Sequence, residues 1–128
     1  MANSAVLGLL GLSRKAGRLA CGEDQTHEMV ATGKCRAIFI AKDIGEATKR
    51  KILRYDEKIP VFTLDCDRLE LGNAIGVNGC AVCAVNDIGM ANAAALKLES
   101  LSESNAKATQ RVIDKKTRMD KRKGKKKK

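Results

Sequence analysis

Arg36-Ala37-Ile38-Phe39-Ile40-Ala41 places consecutive apolar side chains between polar neighbours, without alternation. A strand with one wet face alternates, so a short unbroken apolar run predicts a strand buried on both faces, under helices on either side. Working outward, Gly45 to about Tyr55 reads as a helix. Pro60 opens a β-branched and aromatic strand from Val61 to Leu64. Asp67 is placed to cap a short helix to Ala74, Cys80 to Val85 reads as strand, and Asp87 caps a helix from Ile88 to Leu98. Upstream, Arg18 to Cys21 is extended and Glu23 to Thr32 helical, with acidic residues in its first turn and Gly33 after its end. A first helix, capped by Asn3 or Ser4, carries Ala5, Val6, Leu9, Leu10 and Leu12 at helical spacing and stops before Gly17. Strand and helix alternate throughout, which predicts the α/β class: a three-layer α/β/α sandwich around about four strands.

The charge is distributed unevenly. Residues 107–128 hold twelve Lys/Arg against Asp114 and Asp120, and so account for the whole formal net charge of +10, while the rest of the chain is balanced. After Leu98 the composition turns to Ser, Glu, Asn, Lys and Arg, with Val112, Ile113 and Met119 as scattered apolar residues. That pattern predicts a compact unit at 1–98 and a polybasic, largely disordered tail at 99–128. Lysines in such numbers suit a polyanion, because each phosphate they neutralise releases condensed counterion. Lys115, Lys116, Lys121, Arg122 and Lys123 are the tail's candidate phosphate contacts.

Several chemistries lack their parts. His27 is the only histidine, so no His pair and no Cys/His couple of the usual kind is assembled. Gly72, Gly76 and Gly79 fit neither a dinucleotide fingerprint nor a nucleotide phosphate loop. With only Phe39, Phe62 and Tyr55 as aromatics, stacking platforms for bases are not expected. The five cysteines are odd in number and follow no secretion signal, which points to reduced thiols in the cytoplasm. Cys80 and Cys83 have CxxC spacing, but in a strand residues three apart face opposite sides, so no shared metal is expected. The run Ala5 to Leu12 is too short to cross a bilayer. No cofactor, membrane or small-molecule substrate is implied.

Cys21-Gly22-Glu23-Asp24-Gln25-Thr26-His27-Glu28 is a glycine-led helix start, whose free N–H groups can hold phosphate while Gln25 offers an amide to a base edge. On residue chemistry alone, its three carboxylates fit an ordinary solvated helix start better than an RNA surface. Four stretches in order add to this: Leu12-Ser13-Arg14-Lys15-Ala16-Gly17; Gly22-x-x-Gln25 followed by Thr32-Gly33-Lys34; Ile40-Ala41-Lys42-Asp43; and Leu71-Gly72-x-Ala74-x-Gly76. Over about Ala5 to Leu98 the chain resembles the L7Ae/L30e ribosomal protein superfamily, and is similar to its bacterial YlxQ-type members. The resemblance implies an L30e-like sandwich with a mixed sheet, and non-enzymatic binding of structured, kink-turn-like RNA, with ribosomal RNA and ribosomal proteins as partners. It implies contacts at Gly22, Asp24, Gln25 and Glu28 on the second helix and at Ile75, Gly76, Val77 and Asn78 in the loop before the last strand. Asp24 and Glu28 replace donors of the family pattern by acceptors. Lys34, Arg36, Arg14, Lys15 and Arg18 are the cations expected to offset them. An assembly module with a generic polybasic anchor is the alternative.

Overall fold

The computed structural model describes residues 2–126, and side chains from 4 to 122. In chain order it contains α1 (Ala2–Lys15), β1 (Leu19–Cys21), α2 (Gly22–Ala31), β2 (Ala37–Ile40), α3 (Glu46–Leu53), β3 (Val61–Thr63), α4 (Arg68–Ile75), β4 (Val82–Val85), α5 (Ile88–Leu98) and α6 (Glu103–Lys126). Short 3-10 turns at Arg54–Glu57 and Glu99–Leu101 follow α3 and α5. The strands are ordered β1-β4-β2-β3; β4 runs antiparallel to both neighbours and β3 parallel to β2, so the sheet is mixed.

All four residues of β2 are buried, as an unbroken apolar run between two helical layers requires. On one face, Phe39, Phe62, Cys83 and Val85 pack beneath α1, α4, α5 and α6; on the other, Ile38, Ile40, Val82 and Ala84 meet Met29 and Val30 of α2 and Ile52 of α3. Phe39 and Phe62 stack with centroids 5.5 Å apart. Asp67 and Glu70 form a capping box on α4, and Asp87 accepts from the Met90 N–H on α5, as the sequence suggested. α1 begins at Ala2, ahead of the expected caps, so Asn3 and Ser4 belong to the helix.

The register defines two ends of the sheet. Cys21, Val82, Ile40 and Thr63 lie at one, and Leu19, Val85, Ala37 and Val61 at the other. α2 leaves the first end at Gly22 and returns the chain to the second, a span of about 15 Å for ten residues.

Two expectations need correction. The stretch after Leu98, expected to be largely disordered, is helical over Glu103–Lys126 and docked on α5 and β3; Lys127 and Lys128 lie outside the described residues. Its apolar content is small, with Ala108 and Val112 buried, and hydrogen bonds supply the rest. Asn105 Oδ1 accepts from the Thr63 N–H at 3.0 Å, while Nδ2 donates to the Thr63 carbonyl at 2.9 Å and the Leu98 carbonyl at 3.2 Å. Asn105 thus pairs with β3 along its open edge as a neighbouring strand would. Thr109 Oγ1 lies 3.1 Å from the Ala95 carbonyl and 2.8 Å from that of Asn105. Cys80 and Cys83 also differ from expectation. Cys80 precedes β4, and both thiols enter the same core layer rather than opposite faces. Among the described residues no group of three or more His, Cys, Asp or Glu could hold a metal.

Candidate nucleic-acid interface

At the Cys21 end of the sheet, the first turn of α2 meets the loop that joins α4 to β4. Gly22 has φ +87°, a left-handed conformation that favours glycine, and it turns the chain directly from strand into helix. Cys21 occupies the N-cap without a side-chain cap. Gln25 supplies one instead: its Oε1 accepts from the Cys21 N–H at 2.9 Å, a bond that uses the carbonyl oxygen and not the amide NH2 of this exposed side chain. Asp24, Gln25 and Glu28 are exposed, and Glu23 pairs with Lys51 at 3.2 Å.

The loop is held from beneath. Gly76 closes α4 in the left-handed conformation at φ +79°, and the Val77 N–H donates to the Gly72 carbonyl at 2.9 Å. Gly72 lies so near the returning chain that a Cβ there would sit 2.5 Å from the Gly79 nitrogen. Arg14 donates from α1 to the Ile75 carbonyl, the last of α4, where a cation also suits the negative end of the helix. Burial pushes the Cys21 thiol up, and the Arg14 charge opposes the shift, which puts Arg14 within reach of both elements. The Cys80 thiol is likewise raised by burial and restrained by the backbone of Gly22 and Val82, so the end of the loop abuts the start of α2.

The structure therefore brings Gly22, Gly76, Val77 and Arg14 to one edge, with Asp24, Gln25 and Asn78 in the adjoining turns, whereas Glu28 lies about 9 Å farther along α2, in its last turn. Ile75 is different: only 3% exposed, it packs in the core and contributes its carbonyl rather than its side chain to this edge. Val77 is half-buried against the same core, and Asn78 is exposed. Lys15 is exposed on the last turn of α1.

The expected charge compensation is mostly elsewhere. Lys34 follows the far end of α2, the Arg36 N–H donates to the Val85 carbonyl, and the Arg18 carbonyl accepts from Asn86. All three belong to the opposite end of the sheet, because α2 separates its own termini. On α6, Lys116 pairs with Asp120 at 2.8 Å, Lys121 and Arg122 are exposed, and Lys115 is half-buried; Lys123 lies in the helix, its side chain outside the described residues. Composition alone did not single out Arg111 and Arg118. Their spacing from Lys115 and Arg122 was the available signal, and it has meaning only once the segment is read as a helix.

Thiol chemistry is not prepared at any of these places. Burial pushes Cys35 up to about 12 and Cys66 up to about 11, and burial in the core likewise raises Cys83 well above its ordinary value. Among the described residues no helix is long and apolar enough to cross a membrane.

The ribosomal protein L7Ae/L30e/S12e/Gadd45 family model matches residues 4–95. An RNA-binding protein YlxQ of Enterococcus faecium is 37% identical over 63 residues, 49% of this chain and 58% of that protein. A YlxQ of Bacillus subtilis (strain 168) is 29% identical over 86 residues, 66% of this chain and 85% of that protein. The chain thus spans little more than half the length of the first relative. A solved structure, of a protein of unknown function from Bacillus halodurans C, superposes with a TM-score of 0.68 at 33% identity, covering 73% of this chain and 96% of that one.

Proposed function

From the premise that the chain belongs to the ribosomal protein L7Ae/L30e/S12e/Gadd45 family, we propose that it is a non-enzymatic RNA-binding protein of the translation apparatus. It recognises structured, kink-turn-like RNA at the Cys21 edge and holds phosphates with the cations of α6. Ribosomal RNA is the partner class, with ribosomal proteins as neighbours. The observation that carries this reading is that the start of α2, where the Gln25 carbonyl oxygen is already satisfied by Cys21, abuts the end of the glycine-shaped loop that follows α4. An exposed amide beside a rigid, partly apolar loop reads an opened base edge and covers the adjoining sugar, which suits RNA whose bases are displaced from a regular duplex. Asp24 and Glu28 then accept from guanine N1 or N2, a role that requires sheared G·A pairs rather than bare phosphate.

The test is the affinity of the whole chain for a hairpin with tandem G·A pairs against the same hairpin with Watson–Crick pairs. A preference of about tenfold or more is expected, and Gln25→Ala or Val77→Asp should reduce it by about 1–3 kcal/mol. Equal affinity for the two hairpins would refute recognition by this edge. Asp24 and Glu28, exposed and with no ion pair within 4.0 Å among the described residues, favour a second reading as an assembly module with a generic basic anchor. That reading predicts protein without copurifying RNA at low salt.

A further inference from the structure

At the Val85 end of the sheet, a cleft of about 810 Å³ opens between the C-terminal end of α2, the start of β2, the turn before β3 and α6. Arg36, Lys58, Arg111, Lys115 and Arg118 line it, against two carboxylates, Glu57 and Asp114. Arg36 Nε is buried and has no hydrogen-bond partner among the described residues, an omission that native interiors rarely tolerate. Lys115 is held below its ordinary pKa by burial first and then by Arg36, Arg118 and Arg122, so the cations crowd one another. Among the described residues, Arg111 alone of these cations has an ion pair, with Asp56 at 3.2 Å.

The cluster has a direction. Arg111, Lys115, Arg118 and Arg122 recur at i, i+4, i+7 and i+11 on α6, one face of a helix, over about 16 Å. The row runs out of the cleft onto exposed helix, farther than a single nucleotide reaches. None of the cleft's lining residues is aromatic, so a base has no platform while a phosphate has several donors.

We propose that this cleft and the α6 row form a second RNA surface, which takes the phosphodiester backbone of a duplex and sets one phosphate oxygen against Arg36 Nε. It rests on the reading of the chain as an RNA binder and adds that one molecule holds two RNA segments, at opposite ends of the sheet. An anion here supplies the acceptor that Arg36 lacks and relieves the repulsion at Lys115.

The experiment uses the full chain in a two-RNA capture. The G·A hairpin is immobilised, protein is added, and a labelled 20-base-pair duplex without G·A pairs is captured from solution over a salt series. Wild type is expected to retain the duplex. The variant Arg36→Gln/Lys115→Gln/Arg118→Gln should retain at least tenfold less, with the salt slope lowered by about two to three, one contact for each cation removed. Arg118→Glu, at an exposed position, should act in the same direction if the triple variant does not fold. Arg36→Lys keeps the charge but removes the buried Nε donor and should give an intermediate loss. Undiminished capture by the folded variants would overturn the proposal and leave bridging to the terminal lysines. So would displacement of the duplex by micromolar nucleoside triphosphate, which would make the occupant a free nucleotide. Duplex capture by a wild type that shows no preference for the G·A hairpin would refute the Cys21 edge and support this surface.

Discussion

Replacing Asn105 by alanine tests whether α6 belongs to the fold. The side chain makes three hydrogen bonds, two to the backbone of Thr63 on the open edge of β3 and one to the Leu98 carbonyl that ends α5. Asn105 is buried, and Asn105→Ala leaves all three backbone groups without that partner while removing little apolar contact. At about 1 kcal/mol for each lost bond, with buried groups at the upper end of the range, the loss is about 3 kcal/mol. With a urea m-value of about 1.5–2 kcal/mol per molar, the midpoint should fall by about 1.5–2 M at unchanged slope.

The control is Glu103→Ala, two residues earlier on the same helix. Glu103 pairs with Lys107 at 3.7 Å, but the side chains are 88% and 76% exposed, so the pair contributes almost nothing. Urea unfolding followed by circular dichroism compares the two. Were Asn105→Ala to shift the midpoint by no more than the control, about 0.3 M or less, the docking of α6 and the edge pairing of β3 would both be wrong. Asn105→Asp sharpens the test. It keeps an acceptor for the Thr63 N–H but sets a carboxylate against two carbonyls, so at neutral pH it should be at least as damaging as alanine.

Truncation after Met119 should leave the unfolding midpoint nearly unchanged and lower the salt slope of RNA binding by up to about six, because seven Lys/Arg are lost; truncation after Ala106 should unfold the chain by removing Ala108, Thr109 and Val112. Gly72→Ala drives a Cβ into Gly79 and should cost about 1–3 kcal/mol in thermal or urea unfolding, with an additional loss of hairpin preference as the loop shifts. Cys35 and Cys66 are raised from their ordinary 9.0 to about 12 and about 11, so between those values the unfolded chain gives up its protons first. Stability should hold below pH 9 and decline as pH rises through 11 to 12, and Cys35→Ala should flatten that decline in melts recorded across the range.

The sheet and its helical layers were legible because their signals are local. Ala37–Ile40 admits one environment, and Asp67 and Asp87 stand where each cap was needed. The helix at Glu103–Lys126 was not legible from composition, because its attachment is polar. Asn105 and Thr109 look like surface residues until the edge of β3 and the end of α5 are in place to receive them. Without that partner surface, Ala108 and Val112 are too little apolar area to hold a helix. The cysteines illustrate a boundary effect: the alternation rule applies within Val82–Val85, but Cys80 stands two residues before it, where the chain is still leaving the loop. At the candidate interface, Gln25 and the loop were put forward by the family resemblance and not by spacing, whereas the assignment of Lys34 and Arg36 to that edge failed because nearness in sequence across a helix is distance in space.

Docking of α6 also changes what its charge can do. A disordered tail must be ordered when it binds, at about 1–2 kcal/mol of backbone entropy per residue fixed. Here Asn105, Thr109 and Val112 already hold the helix against the body, so on the proposed reading Arg111 and Lys115 would meet a phosphate from fixed positions, and Arg118 and Arg122 continue the same face outward. The Cys21 edge carries an exposed carboxylate, Asp24, as well as Arg14, whereas the Val85 end gathers cations around an Arg36 Nε that has no hydrogen-bond partner among the described residues. Long-range attraction to RNA is therefore strongest at the end least able to read a base. On the proposed reading, the near-neutral edge gains nothing from phosphate density alone, so its contribution would come from shape and donor pattern, the terms that separate one folded RNA from another.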